Sequence, residues 1–214
     1  MVAHHVPDEA LLAYATGSST VGEDLLVACH LTLCPDCRSA AERADRVGGA
    51  LSLRVAPVDL ASDGLEHLLA RLDEPEAPAA PAPPSCPVFP APLRRAIGPL
   101  ASLPWRSVGR GVGVMPLPGG GHQRVFLMDF PPGLGLPSHG HDGIERGLVL
   151  RGGFTADGVA YARGDVTWQD DAHHDVIVDD DGERCTTLFV SDGPMMFGSS
   201  WVDRFAEWWL GTSR

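Results

Sequence analysis

The sequence predicts two domains: a small all-α helical domain that binds a metal through His and Cys, followed by an all-β domain, a sandwich or barrel. Three observations carry this. Apolar residues in the first seventy or so positions recur at three- and four-residue steps, the helical period. From Trp105 onward they form short apolar or alternating runs punctuated by glycine, the texture of strands joined by turns. Between the two, residues 74–92 hold proline at a density that neither propagates a helix nor completes a sheet ladder. The expected boundaries are residues 1–73 for the helical domain, 74–98 for a Pro/Ala-rich linker, extended and semi-rigid, and 99–214 for the barrel.

Asp8 can cap a first helix carrying Leu11, Leu12 and Ala15, which Gly17 ends. Thr20-Val-Gly-Glu23 has the capping-box form and opens a second helix with Leu25, Leu26, Cys29 and Leu33 at core spacing. Pro35 suits the first position of a third, where its missing N–H needs no partner; Ala40, Ala44, Val47 and Leu51 form its expected core stripe. Ser62 caps a fourth with Leu65, Leu68, Leu69 and Leu72, on which His67 reads as a surface residue. Candidate strands lie at 112–117, 124–130, 147–154, 165–168 and 185–190. The tail from Ser200 to Leu210 offers one more helix or strand, with Trp208 and Trp209 packing against the barrel.

The totals exclude several classes of function. A formal net charge of -12 argues against nucleic acid as a partner, because affinity for phosphates accumulates from Lys and Arg. All sixteen basic residues are arginines, so lysine chemistry such as a Schiff base is ruled out. No stretch approaches the roughly 18 uncharged apolar residues of a membrane span. The N-terminus carries histidines and acids where a signal peptide needs basic and then apolar residues, so a cytoplasmic protein is expected. Five cysteines, an odd number, fit a reducing compartment better than a disulfide frame.

The most informative stretch is His30-Leu-Thr-Leu-Cys34-Pro-Asp-Cys37, three candidate metal ligands within eight residues. His30 and Cys34 share a helix face, and Pro35 makes Cys34 a boundary residue with Cys37 in the next first turn. Thiolate and imidazole are the usual ligands of Zn²⁺, which prefers four in a tetrahedron. The fourth must come from His4 or His5, with His5 favoured. Cys29 points about 100° away from His30 and reads as core. A redox dithiol lacks the strand-to-helix context such motifs need.

The β half holds Gly133-x5-His139-Gly-His141-x3-Glu145-x6-Gly152. Alternate residues on a strand face one way, so His139 and His141 pair, and Glu145 can reach back across a turn or bulge. This spacing resembles the first motif of the cupins, and the resemblance implies an all-β cupin, a double-stranded β-helix or jelly-roll barrel, in which such side chains converge on a metal. The second cupin motif would place a His shortly after Gly164; here Asp165-Val-Thr167 follows instead. His173 and His174 stand further on, and His174 is chosen as the late ligand with His173 its rival. The set admits Zn²⁺, Fe²⁺, Mn²⁺ or Ni²⁺.

The order of these parts, over nearly the whole chain, resembles the zinc-binding anti-sigma factors of the ChrR type. The resemblance implies that the helical domain carries zinc on His5, His30, Cys34 and Cys37 and clasps an extracytoplasmic-function sigma factor. It implies a cupin-like domain with His139, His141, Glu145 and His174 as ligands, needed to respond to singlet oxygen and related oxidants by releasing the sigma factor. The physics agrees: small helices with spare apolar faces suit helix-in-groove binding, and residues 1–72 carry ten acids against five arginines, complementary to a DNA-contacting partner. Two other readings stand beside it. One is a metal-dependent cupin enzyme, a dioxygenase or isomerase with a helical oligomerisation module; the other is a pair of small domains merely stapled by metal.

Overall fold

Among the described residues of this computed structural model (2–59, 61–72, 86–98, 104–118, 121–170, 174–193 and 195–196), five helices precede or border two antiparallel sheets. The expected tail element at 200–210, with Trp208 and Trp209, lies outside them, as does His173. No described helix is long and apolar enough to cross a membrane.

Local signals set the helices. Helix α1 (Asp8–Thr16) starts directly after Pro7, with Asp8 and Glu9 in its first turn against the positive end of the helix dipole. Asp8 is thus the first helical residue and not the cap. Gly17 adopts φ 66°, and its N–H and that of Ser18 donate to the Tyr14 and Ala13 carbonyls respectively, closing the C-terminus. Helix α2 (Val21–Leu33) has the full capping box between Thr20 and Glu23. Helix α3 (Pro35–Ser52) follows after a single extended residue, Cys34, whose sulfur accepts from the Cys37 N–H at 3.4 Å. Helix α4 (Gly64–Leu72) buries no residue.

A fifth helix, α5 (Ala91–Ile97), occupies part of the segment expected to be an extended linker. Its prolines do not break it: Pro90 is the cap and Pro92 sits in the first turn, where a missing N–H costs nothing. Leu93 anchors it, with no exposed surface, beside α2.

The barrel strands are β1 (Arg106–Ser107), β2 (Gly113–Leu117), β3 (Arg124–Phe130), β4 (Gly135–His141), β5 (Glu145–Arg151), β6 (Gly153–Ala156), β7 (Val159–Ala162), β8 (Val166–Gln169), β9 (His174–Val178), β10 (Cys185–Ser191) and β11 (Met195–Met196). They form a six-stranded sheet in the order β1-β2-β3-β10-β5-β8 and a five-stranded sheet in the order β11-β4-β9-β6-β7. Alternation along each strand assigns the faces. Val114, Phe130, Val149 and Cys185 point into the barrel with Phe154, Val176 and Val178 of the opposing sheet. Met115, Val125, Leu127, Leu148, Leu150, Leu188 and Val190 point outward and form a second core with Val6, Leu11, Leu26, Val27 and Leu93.

The helices therefore share a core with the barrel. A polar clamp fixes their seat: Arg146, on the outer face of β5, bonds Glu23 of the capping box at 2.8 Å and Asp192 at 2.9 Å, with its guanidinium 5.2 Å from the Trp168 ring. By contrast Val47 and Leu51, expected in a core, are exposed, as are Leu65, Leu68, Leu69 and Leu72 of α4. If α5 belongs to the common core, Leu93→Ala will cost about 2–5 kcal/mol, the range for a fully buried leucine. Urea unfolding of the full chain checks this; a loss below about 0.5 kcal/mol would remove α5 from the core.

Candidate metal centres

The break between α2 and α3 brings the first set of donors together. His30 sits one turn before the end of α2, Cys34 is the extended corner residue and Cys37 lies in the first turn of α3. His5 comes from the segment before α1. One donor atom from each of these four residues lies within 4.8 Å of the others, a grouping that could hold a metal ion. The His5 Nδ1 is 3.3 Å from the Cys34 sulfur and 3.5 Å from that of Cys37. The His5 and His30 rings stand edge to face, 6.4 Å between centroids. His5, not His4, is the upstream histidine in the group; the His4 ring packs 4.4 Å from Tyr161.

The donor chemistry fits a cation. His30 Nδ1 lies 2.9 Å from the Gly164 carbonyl oxygen, which can only accept, so Nδ1 carries the proton and Nε2 keeps its lone pair. That Nε2 is buried without a hydrogen-bond partner, the arrangement of a metal-ligating histidine whose other nitrogen is held by a carbonyl. Burial lowers the His30 pKa, favouring the neutral ring a metal requires. The Cys37 thiol is pushed up to about 11, chiefly by burial, so its thiolate needs a neighbouring cation. Cys29 stays outside the group as a core residue, its thiol raised to about 12 by burial.

The second set lines the barrel. His139 and His141 alternate on β4, and Glu145 opens β5 after a turn in which Gly143 adopts φ 97°. All three are buried. Glu145 Oε2 lies 3.2 Å from His141 Nδ1, and the two imidazole rings meet at 80°, 5.3 Å between centroids. The register of β4 on β9, shifted between Leu136 and His139, sets His174 opposite His139, the cross-strand position a converging ligand would need. His139 and Glu145 border a cavity of about 40 Å³ closed by Met128, Phe130, Leu136, Phe154 and Phe189, room for one or two water-sized groups. Burial in these apolar walls raises the Glu145 carboxyl to about 8.

Two groups that matter to the first centre escaped the sequence reading. Gly164 and Asp165, in the turn between β7 and β8, hold His30 and the segment before α1 respectively. Nothing local marks them, since their partners lie more than 130 residues away. The sequence did single out Gly164-Asp165, as the place where a cupin histidine is missing.

Fold and sites together define a two-domain class: a helical His/Cys cluster seated on a cupin barrel with a His-x-His-x3-Glu set. The family described as the ChrR cupin-like domain matches residues 94–196. The anti-sigma-E factor ChrR of Cereibacter sphaeroides is 38% identical over 199 residues, 92% of this chain and 93% of that protein. The crystal structure of Rhodobacter sphaeroides SigE in complex with the anti-sigma ChrR matches with a TM-score of 0.78 and 36% identity, covering 90% of this chain and 100% of that one. The chain belongs to the ChrR family of anti-sigma factors, and it is a regulatory protein rather than an enzyme.

A pH experiment on chelator-treated protein probes the barrel site. The folded-state pKa of Glu145, about 8, exceeds its ordinary 4.5, so the folded protein holds a proton the unfolded chain has lost. The stability this lends is complete below about 4.5 and fades as pH rises through 8. Denaturant midpoints taken at pH 5 and pH 8.5 should fall more in the wild type than in Glu145→Gln; equal slopes would count against a buried, proton-holding carboxyl.

Proposed function

We propose that this protein binds and inhibits an extracytoplasmic-function sigma factor through residues 1–73, and releases it on oxidative stress of the singlet-oxygen type sensed through residues 99–214. The observation that carries the binding half is the uncovered apolar surface of α3, α4 and the segment between them. Val47, Leu51, Leu53, Val55, Val58, Leu65, Leu68, Leu69 and Leu72 are all more than half exposed. A run of this size on a monomer marks an interaction surface. The acidic excess of residues 1–72 as a whole, ten acids against five arginines, complements the basic surfaces a DNA-binding sigma factor carries, and the relative whose fold it shares was crystallised with one.

His5, His30, Cys34 and Cys37 are the ligands of a structural zinc. Two thiolates and two imidazoles are the set Zn²⁺ favours, and the ion supplies a closed tetrahedral cross-link between the chain before α1, the end of α2 and the start of α3. His139, His141, Glu145 and His174 form the barrel site, whose nitrogen and oxygen donors suit Zn²⁺, Fe²⁺, Mn²⁺ or Ni²⁺. Oxidation of Cys34 or Cys37 would strip thiolate ligands from the helical site and loosen it.

Co-expression of the full chain with an extracytoplasmic-function sigma factor of the same organism should yield a one-to-one complex with zinc bound, read by metal analysis. Leu65→Asp and Leu68→Asp should each weaken it by about 2 kcal/mol or more, roughly 30-fold, with metal content unchanged. Undiminished affinity in the double variant would sink the docking surface. A Cys34→Ser protein that still holds the sigma factor and still releases it on oxidation would remove the thiolate route.

A further inference from the structure

The turn between β7 and β8 belongs to the barrel, yet it touches one of the four donors of the helical centre, His30, and the backbone just before another, His5. Gly164 presents its carbonyl to His30 Nδ1 at 2.9 Å, both groups being buried. Asp165, itself almost wholly buried, accepts from the backbone N–H of Ala3 at 2.6 Å and of His4 at 2.9 Å through one oxygen, and from the Ala162 N–H at 2.9 Å through the other. The Val166 N–H then donates to the His4 carbonyl at 3.1 Å, so the chain just before His5 is laced along the start of β8.

Close packing holds the turn in place. Gly164 adopts φ 97°, and a Cβ there would lie 2.7 Å from the Val2 side chain, so only glycine lets the N-terminal segment approach. The turn is fastened in its own right to β5, Gly164 N–H to the Val149 carbonyl at 2.8 Å and Val149 N–H to the Asp165 carbonyl at 3.1 Å. That strand begins with Glu145 of the barrel site.

We propose that this turn is the outer support of the helical metal centre: Gly164 and Asp165 act as positioning residues for His30 and His5, so that the barrel sets the metal affinity of the helical domain. Gly164 fixes the tautomer and ring orientation of His30. Asp165 fixes the backbone that delivers His5, the one exposed donor, which no helix holds. Any displacement of the turn relative to α2 removes both constraints at once, giving the barrel a direct mechanical hold on the zinc. The inference rests on the reading of the His/Cys cluster as a zinc site.

The test uses full-length protein. Zn²⁺ affinity is measured by competition with a chelating dye for wild type, Asp165→Ala, Ala3→Pro and Arg146→Gln, with Co²⁺ substitution reporting the thiolate ligand set by its absorption. Ala3→Pro removes one of the N–H donors to Asp165 and leaves the barrel sequence untouched, so the experiment stands even if Asp165→Ala fails to fold. Arg146→Gln breaks a different polar contact between helices and barrel, one that involves none of the four donors. The expected result is zinc affinity about 10- to 100-fold weaker in Asp165→Ala or Ala3→Pro, the range for lost outer-sphere partners, with Arg146→Gln near wild type. Unchanged affinity in zinc-binding Ala3→Pro and Asp165→Ala proteins overturns the inference alone. Equal weakening by Arg146→Gln also overturns it, because the effect would then be that of any domain contact. A wild-type protein that takes up no zinc overturns the zinc reading itself.

Discussion

The six-stranded sheet is apolar on both faces, and most of the architecture answers that constraint. Leu148 and Leu150 face out of the barrel while Val149 faces in, and all three are fully buried. An antiparallel sheet can leave one face to water only when that face is polar. This one must be covered twice, by the five-stranded sheet on the inside and by α1, α2 and α5 on the outside. The helices in turn are too short to bury their own stripes alone, since isolated helices of this length are marginal in water. The helices lack a core until they meet the barrel, and the barrel's outer face lacks a cover until it meets the helices.

That mutual dependence explains what the sequence did and did not disclose. Capping at Thr20 and Glu23, the Gly17 stop and the Cys34-Pro35 corner are local events and were legible as such. So were His30, Cys34, Cys37, His139, His141 and Glu145, each set fixed by spacings of a few residues. His5 was harder, because its position depends on Asp165 in another domain; residue type and the family resemblance pointed to it, and spacing alone did not choose between it and His4. Helix α5 was hidden by its own prolines, which read as breakers unless one knows that they fall at the cap and first turn. The stripe of Val47 and Leu51 shows the limit of periodicity. Amphipathic spacing reports that a face is to be covered, and says nothing of whether this chain or another covers it.

On the reading proposed above, the two sites differ in what a cation must overcome. In the helical cluster, burial holds the Cys37 thiol protonated, so metal binding expels a proton from sulfur and converts a corner of two helices into a cross-link. In the barrel, the counterpart is the Glu145 carboxyl beneath apolar walls. A small chamber bordered by Met128 and aromatic rings is a poor site for a bulky substrate, which accords with membership of a regulator family. Its scale suits a group of the size of water or dioxygen.

Helix α3 joins the chemistry to the surface. Cys37 lies in its first turn and the exposed Val47 and Leu51 in its second half, on a rod of 18 residues, about 27 Å long. Its N-terminus is held by the Cys34 sulfur cap and, on the reading proposed above, by the ion; little else restrains its far end, where no residue beyond Ala41 is buried. Its first half also packs on α1 and α2, so the restraints gather at the end that carries the metal donors. On that reading, loss of the metal at the α2–α3 corner would remove one of the restraints on the rod that carries the apolar stripe, without any rearrangement of the stripe itself. An inhibitor built this way can hold its partner through a broad apolar contact and still be released by a change confined to a few donor atoms.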